Sequence, residues 1–190
     1  MERAAQAKRY ERAAEGASAR RAFFQGFLRS PRDVGSIVPS SRFLERRLVE
    51  EARVAQARVL VELGPGTGGT TRAFLRALPP TSRLLAIELD PLFADGLRRM
   101  GDPRLFVHEG SAEALADQLS MHGLLGRVDA VISGIPFSTI PHPVARRIVE
   151  RIRSVLAPGG RFVAYQVRGH VADVSRPVLG QPAIGIELRN

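Results

Sequence analysis

Apolar positions at the start of the chain follow a helical spacing. Residues 2–29 have high helix propensity, and their last apolar positions recur every three or four residues. Pro31 is expected to end this helix, because proline lacks the amide donor and clashes with the preceding turn. The pattern predicts an N-terminal helical segment, residues 1–30, ahead of a second part that spans residues 31–190.

An extended stretch and a second helix are predicted next. The run VGSIVPSS, residues 34–41, separates the two helices and ends in two serines. A serine at a helix start accepts a hydrogen bond from an amide of the first turn, so Ser40 or Ser41 is a suitable N-cap. The helix that follows is expected to run to about Ala55.

From Arg58 onward, apolar runs of strand length alternate with helical patterns. Strands are predicted at 58–64, 83–89, 104–110, 128–133 and 160–167, with 183–190 as a candidate sixth. Helices are predicted between them at 70–78, 91–100, 112–119 and 141–156. Strands separated by helices of this length imply a parallel sheet with helices on both faces. The predicted fold is therefore α/β, a doubly wound and mostly parallel sheet preceded by N-terminal helices.

Composition limits the cellular compartment, the kinds of site and the kinds of partner to be expected. At 190 residues the chain has the size of one domain, and it contains no cysteine, which excludes disulfides and sites built on thiolates. No apolar run approaches the roughly 20 residues that a transmembrane helix needs. The formal net charge of +9, with arginine far outnumbering lysine, favours anionic partners such as nucleic acid or phospholipid headgroups. We expect a cytoplasmic protein that does not span a membrane.

A glycine-rich loop after the first predicted strand is the strongest functional motif. The sequence VELGPGTGG, residues 61–69, lets the backbone turn tightly while the N-terminus of the next helix faces a ligand. Gly64, Gly66 and Gly69 satisfy the dinucleotide pattern G-x-G-x-x-G. Gly64, Gly66 and Gly68 equally satisfy the E/D-x-G-x-G-x-G pattern that is typical of enzymes using S-adenosylmethionine (SAM).

Two acidic residues lie near this loop, and one of them distinguishes the two cofactors. Glu88 ends the second predicted strand, where it is placed to accept hydrogen bonds from both hydroxyls of a ribose in either cofactor. Glu62 lies two residues before the first glycine, where it would repel a pyrophosphate but suits the cationic amino-acid end of SAM. We therefore predict SAM, with S-adenosylhomocysteine as the product, over a nicotinamide cofactor or a purely structural turn.

These motifs resemble the class I SAM-dependent methyltransferases, and more closely the bacterial phospholipid N-methyltransferases that convert phosphatidylethanolamine towards phosphatidylcholine. The resemblance covers most of the chain. The segments that carry it are residues 23–44, the glycine loop, AIELD (86–90), SGIPF (133–137) and LAPGGRFV (156–163). The broader family also includes ribosomal RNA adenine dimethyltransferases, so the motifs for the lipid are less specific than those for SAM. The family sheet has seven strands, and no seventh is apparent after 183–190, which suggests a truncated chain or a shortened variant.

The resemblance implies which residues hold SAM. The methionine end would be held by Glu62, Gly64, Gly66, Thr67 and Gly68, with Ser40 and Ser41 folded over the cofactor. Glu88 would bind the ribose, and Leu89 and Ala112 would lie against the faces of the adenine. Ser111 stands where such enzymes often have an aspartate that binds the adenine amino group.

The end of the fourth predicted strand would form the rim at which the methyl group is transferred. Enzymes that methylate the exocyclic amine of adenine usually carry an N/D/S-x-P-Y/F tetrad there, whose polar side chain accepts from the planar amine. The aligned residues here are Gly134, Ile135, Pro136 and Phe137, and glycine offers no side-chain acceptor. The amine of phosphatidylethanolamine is pyramidal once neutral and needs no such acceptor. Ser133 supplies a polar group by a one-residue shift, which keeps adenine open as a substrate.

The expected reaction is an in-line attack of the amine on the sulfonium methyl group, without a metal. Ser133, Gly134 and Ile135 are assigned to the cofactor side of the rim, and Pro136 and Phe137 to the substrate side. An alkylammonium has a pKa of about 10, so the amine must first lose a proton. Tyr165 and His142 are the candidate proton acceptors. Arg32 and Arg168 are candidates to bind the phosphodiester of the lipid, and Tyr10 is a candidate contact of its headgroup. For His142 the alternative is a surface bystander, and for Tyr165 a residue packed beneath the cofactor.

The N-terminal segment has the order of features expected of an interfacial anchor. Six basic residues precede the cluster Phe23, Phe24, Phe27 and Leu28. Each basic side chain near an anionic leaflet contributes about 1 kcal/mol, so we expect reversible binding to the inner face of the cell membrane. The alternative is that the phenylalanines dock this helix onto the catalytic domain.

Three other functions stay open beside phosphatidylethanolamine methylation. Methylation of adenine in RNA suits the positive charge, but Gly134 and the lack of a C-terminal substrate domain weigh against a nucleic-acid partner. Another amino lipid, such as an ornithine lipid, is a second alternative. The third is a catalytically silent SAM-fold protein that binds membranes or partners.

Overall fold

Strands and helices alternate throughout the part of the chain that the computed structural model describes, residues 42–165 and 170–180. The N-terminal helix predicted for 1–30, the extended segment before Arg42 and the candidate strand at 183–190 lie outside these residues. Tyr10, Arg32, Ser40, Ser41 and Arg168 lie outside them as well. The predicted roles of those residues therefore stay predictions.

The described residues form five strands and six α-helices. The strands are β1 (Val59–Leu63), β2 (Arg83–Glu88), β3 (Leu105–Glu109), β4 (Val128–Ser133) and β5 (Leu156–Ala164). The helices are α1 (Arg42–Glu51), α2 (Gly69–Ala77), α3 (Pro91–Arg98), α4 (Leu115–Met121), α5 (His142–Val155) and α6 (His170–Leu179). Short 3₁₀ turns cover Val54–Gln56 and Ala112–Ala114. None of the helices in this described part is long and apolar enough to cross a membrane.

The five strands form one parallel sheet in the order β3-β2-β1-β4-β5. The chain moves outward from β1 to β3 and then crosses back, so that β4 lies on the other side of β1. Ligands of doubly wound sheets bind in the crevice at the carboxyl ends of the strands where the order reverses. That position lies between β1 and β4.

Apolar side chains cover both faces of the sheet because successive residues of a strand point to opposite sides. In β1, Val59, Val61 and Leu63 belong to one core cluster and Leu60 belongs to the other. Helix α5 packs into the first cluster, and Phe74 of α2 is fully buried in the second. All five residues of β1 are buried, which makes this strand a rigid base for the loop that follows it.

Several elements differ from the sequence prediction. Helix α1 ends at Glu51, whereas its predicted end was about Ala55. The helix predicted from Ala112 begins as a 3₁₀ turn, and the α-helical part starts at Leu115. Strand β5 begins at Leu156, because residues before and after the Pro158-Gly159-Gly160 turn both pair with β4 across an irregularity in register. Helix α6 was not predicted, and it contains Pro177.

Candidate functional site

The loops that leave β1, β2 and β4 meet at the carboxyl edge of the sheet. The amide of Gly64, directly after β1, donates to Ile87 O of β2 at 2.9 Å. The amide of Gly134, directly after β4, donates to Leu63 O at 2.9 Å. These bonds extend the sheet pairing past the ends of the strands, so the two loops are held side by side.

The glycine loop depends on a left-handed backbone. Gly64, Gly66 and Gly68 have φ angles of 70°, 57° and 77°, a region that other residues enter only with strain. A Cβ on Gly66 would meet nothing within 4 Å, which makes this point of the loop open to a ligand. A Cβ on Gly68 would collide with the end of the Met100 side chain and lie 2.9 Å from Leu97, so here the missing side chain allows α3 and the turn after it to approach. Thr67, between them, is exposed.

Glu88 lies directly beside this loop. Its two carboxylate oxygens accept hydrogen bonds from the amides of Gly66, at 2.8 Å, and Asp90, at 2.9 Å. Burial raises the pKa of this carboxyl group, and its hydrogen bonds to backbone amides oppose that shift. A carboxylate oxygen accepts more than one hydrogen bond, so both oxygens keep the capacity to accept a ribose hydroxyl.

Glu62 is fully buried beneath the loop. Its oxygens accept the hydroxyls of Thr70, at 2.5 Å, and Thr71, at 2.6 Å, from the first turn of α2. Burial raises the pKa of Glu62 to about 7, the two threonine hydrogen bonds oppose this shift, and the charge of Glu88 adds to it. The carboxylate thus ties β1 to α2. Its predicted contact with the amino group of SAM stays a prediction.

The two threonines are site residues that the sequence interpretation missed. A signal for them was present, because Thr70 and Thr71 are eight and nine residues beyond Glu62 and open the helix after the glycine loop. Within the described residues, these two hydroxyls are the only side-chain groups that donate hydrogen bonds to the Glu62 carboxylate. They satisfy a buried polar group that would otherwise be costly.

The residues predicted for adenine lie at the ends of β2 and β3. The amide of Gly110 donates to Glu88 O at 2.8 Å, which holds these ends together. Leu89 is half-buried, and Ala112 is buried at the start of a 3₁₀ turn. Ser111 caps that turn by accepting the amide of Glu113 at 3.2 Å, so its hydroxyl oxygen already has a partner.

Two residues of the rim after β4 are buried. Ser133 is fully buried, and its hydroxyl accepts the amide of Ile135 at 3.2 Å. Phe137 is 3% exposed and packs edge-on against Phe162, with ring centroids 6.5 Å apart. The predicted contacts of Ser133 with the cofactor and of Phe137 with the substrate stay predictions. Ile135 is buried as well, whereas Gly134 and Pro136 are only partly covered.

Tyr165 and His142 lie in different surroundings. The amide of Tyr165 donates to Ser133 O at 3.1 Å, which brings this residue beside the rim. Burial raises the pKa of the Tyr165 hydroxyl, and the charge of Glu62 raises it further. A raised pKa disfavours the phenolate and so weighs against Tyr165 as a proton acceptor, and its role stays a prediction. His142 is exposed at the first position of α5, between Pro141 and Pro143.

The chain is similar in sequence to known methyltransferases. Residues 61–162 match the family described as "Methyltransferase domain". An ornithine lipid N-methyltransferase from Singulisphaera acidiphila is 35% identical over 142 residues, which are 74% of this chain and 73% of that protein. Ribosomal RNA small subunit methyltransferase A from Parasynechococcus marenigrum is 31% identical over 67% of this chain and 41% of its own length.

A solved structure has a similar fold. The O-methyltransferase TomG from Streptomyces achromogenes, in complex with SAM, superposes with a TM-score of 0.55 at 26% identity. The match covers 67% of this chain and 56% of that one. The doubly wound parallel sheet that the sequence predicted is confirmed. Because this chain spans only part of TomG and of the ribosomal RNA enzyme, the substrates of those proteins do not transfer to it.

Proposed function

The chain belongs to the methyltransferase-domain family and uses SAM as its methyl donor, and we propose that its acceptor is the amine of a membrane aminolipid. The expected substrate is phosphatidylethanolamine, methylated towards phosphatidylcholine together with its mono- and dimethyl derivatives. Ornithine lipid is the second candidate, because the 35% identical relative is named as an ornithine lipid N-methyltransferase.

The observation that carries this proposal is the chemistry of the rim after β4. Position 134 is glycine, and the hydroxyl of the buried Ser133 is turned back to Ile135 N. Position 134 of the described rim therefore offers no side-chain acceptor, and the one hydroxyl beside it is buried and directed at its own loop. A planar adenine amine needs an acceptor that bends its lone pair out of conjugation, whereas a neutral alkylamine is already pyramidal. This rim suits an aliphatic amine.

The residues at the ends of β1 and β2 fit SAM. The loop from Gly64 to Gly68 presents an open face at Gly66, and Glu88 has the acceptor capacity for the ribose hydroxyls. When bound, SAM supplies an electrophilic methyl group on its sulfonium, and S-adenosylhomocysteine is left after transfer. The loop and Glu88 fix the position of the donor relative to the rim. In well-oriented systems such alignment lowers the barrier by roughly 7–11 kcal/mol.

The attacking amine must be neutral. An alkylammonium has a pKa of about 10, so a proton leaves before the nitrogen attacks. Tyr165 does not fit the acceptor role because its surroundings hold its hydroxyl protonated. The exposed imidazole of His142, at the start of α5, is the remaining candidate from the sequence.

Lipid substrates require access to a membrane surface. The net charge of +9 favours an anionic leaflet, and the order of basic and aromatic residues in segment 1–30 is that of an interfacial anchor. We propose reversible binding to the inner face of the cell membrane through this segment.

Methylation of adenine in RNA is the competing function. The 31% identical ribosomal RNA methyltransferase and the positive charge favour it. The glycine at position 134 weighs against it, because the amine of adenine is conjugated with its ring.

Methyl transfer from labelled SAM separates these functions. The enzyme is given vesicles of phosphatidylethanolamine, vesicles of ornithine lipid and an RNA transcript in parallel, with Glu88→Ala as the control for cofactor-dependent counts. We expect label in phosphatidylethanolamine, and label in ornithine lipid alone would select the second candidate. Counts in RNA but in neither lipid would refute the proposal, and counts in none of the three would favour a silent SAM-binding protein.

A further inference from the structure

The ring of Tyr165 fills the space that a side chain at position 134 would need. A Cβ on Gly134 would lie 2.5 Å from the Tyr165 hydroxyl oxygen and 2.8 Å from Cζ. It would also lie 3.0 Å from Gly64 O of the glycine loop. Gly134 is not among the glycines with a positive φ, so space and not backbone conformation requires glycine here. The two residues are therefore matched to each other.

The hydroxyl of Tyr165 lies at the place where a side chain at position 134 would begin. A phenol oxygen carries lone pairs and can accept a hydrogen bond whichever way its own proton points. The neighbouring hydroxyl of Thr70 donates its proton to Glu62 at 2.5 Å.

We propose that Tyr165 positions the acceptor amine: its oxygen accepts a hydrogen bond from an N–H of the substrate and replaces the side chain that position 134 lacks. This inference rests on the proposed lipid amine substrate. In this role Tyr165 does not remove a proton, and it does more than pack beneath the cofactor. The raised pKa of its hydroxyl is consistent with this, because the phenol remains a neutral partner at the working pH.

Tyr165 should contribute differently to the three successive methylations. A neutral primary amine carries two N–H groups and a monomethylated amine carries one, so both can donate to Tyr165. A neutral dimethylated amine carries none. Tyr165 should therefore align the first and second acceptors but not the third, a pattern that a structural role for the ring would not produce.

The test compares Tyr165→Phe with wild type on phosphatidylethanolamine and on its mono- and dimethyl derivatives, at saturating SAM. If the wild type accepts only ornithine lipid, the same series is made from that lipid. We expect kcat/KM to fall about fivefold to tenfold for the first two acceptors, as loss of one hydrogen bond predicts, and to stay unchanged for the third. The affinity for S-adenosylhomocysteine in calorimetry should also stay unchanged.

The third acceptor and the affinity for S-adenosylhomocysteine guard against a simple folding defect, because a misfolded variant would lose both. Gly134→Ala, whose Cβ would press on Gly64 O as well as on Tyr165, should instead lose activity on all three acceptors. For Tyr165→Phe, equal losses on all three acceptors, no loss on any, or weakened S-adenosylhomocysteine binding would each overturn this inference alone. A wild-type protein that methylates no aminolipid would overturn it together with the proposed function.

Discussion

Replacing Glu62 by glutamine should change how the stability of the protein depends on pH. Glu62 is fully buried under the glycine loop and is held by two threonine hydroxyls. Glutamine has nearly the same shape and keeps a carbonyl acceptor and an amide that the threonines can bind, but it does not ionise. The substitution therefore removes a titrating group with little change in packing.

The size of the effect follows from the pKa. Burial raises the pKa of Glu62 from 4.5 to about 7, so the folded state binds its proton more tightly than the unfolded state. The contribution to stability is fully present below pH 4.5 and is lost as the pH rises through about 7. With about 1.36 kcal/mol for each pKa unit, wild type should lose roughly 2–3 kcal/mol from this group between pH 5 and pH 8. Glu88, whose pKa is also raised, acts in the same direction in both proteins.

The assay is urea unfolding of wild type and Glu62→Gln at several values between pH 5 and pH 8. A matched control is Glu150→Gln, because Glu150 is an exposed acid on α5 that pairs with Arg146. We expect the variant to lose less stability across this range than wild type, by roughly 2–3 kcal/mol, and the control to follow wild type. Parallel curves for wild type and Glu62→Gln would refute the reasoning, since Glu62 would then ionise with its ordinary pKa.

Three further predictions concern the loop, the opposite edge of the sheet and the membrane. Gly68→Ala combines a left-handed φ with a collision at Leu97, so thermal or urea unfolding should show a loss of about 2–4 kcal/mol, against about 1–2 for Gly66→Ala, whose Cβ meets open space; equal losses would contradict this. Asp129 accepts two backbone amides at the start of β1, at 2.7 and 2.9 Å, so Asp129→Ala should lose about 1–3 kcal/mol of stability while calorimetry finds SAM affinity unchanged. Weaker SAM binding would mean that this edge is coupled to the site. Deleting residues 1–22 should abolish sedimentation with anionic vesicles while circular dichroism shows a folded domain, and unchanged sedimentation would reject the anchor.

The sequence predicted the elements whose patterns are local. Strand β4 has the predicted bounds, Val128–Ser133, because the mostly apolar run stops at Gly134. Helix α3 starts where Asp90 and Pro91 predict, with the Asp90 side chain accepting Leu92 N at 2.8 Å. Helix α6 was missed because Pro177 interrupts its pattern, and a proline near the end of a helix is tolerated only when surrounding contacts stabilise it.

The site was predicted less completely than the fold because its chemistry depends on contacts between distant segments. The order of the loop residues indicated where Glu62 and Glu88 would be, but not that two threonines of α2 would occupy the carboxylate of Glu62. The tetrad pattern suggested a substrate contact at Phe137, but it could not show that the ring packs against Phe162 of β5 and is buried. Nothing in a local pattern relates Tyr165 to Gly134, since their contact exists only once β4 and β5 pair.

The most direct test of the account is a crystal structure with S-adenosylhomocysteine and a short-chain phosphatidylethanolamine. We predict that the ribose hydroxyls bind Glu88, that the homocysteine lies along the glycine loop, and that the amine nitrogen lies at the rim beside Gly134. S-adenosylhomocysteine bound away from the carboxyl ends of β1 and β4, or a lipid amine bound away from that rim, would contradict the account.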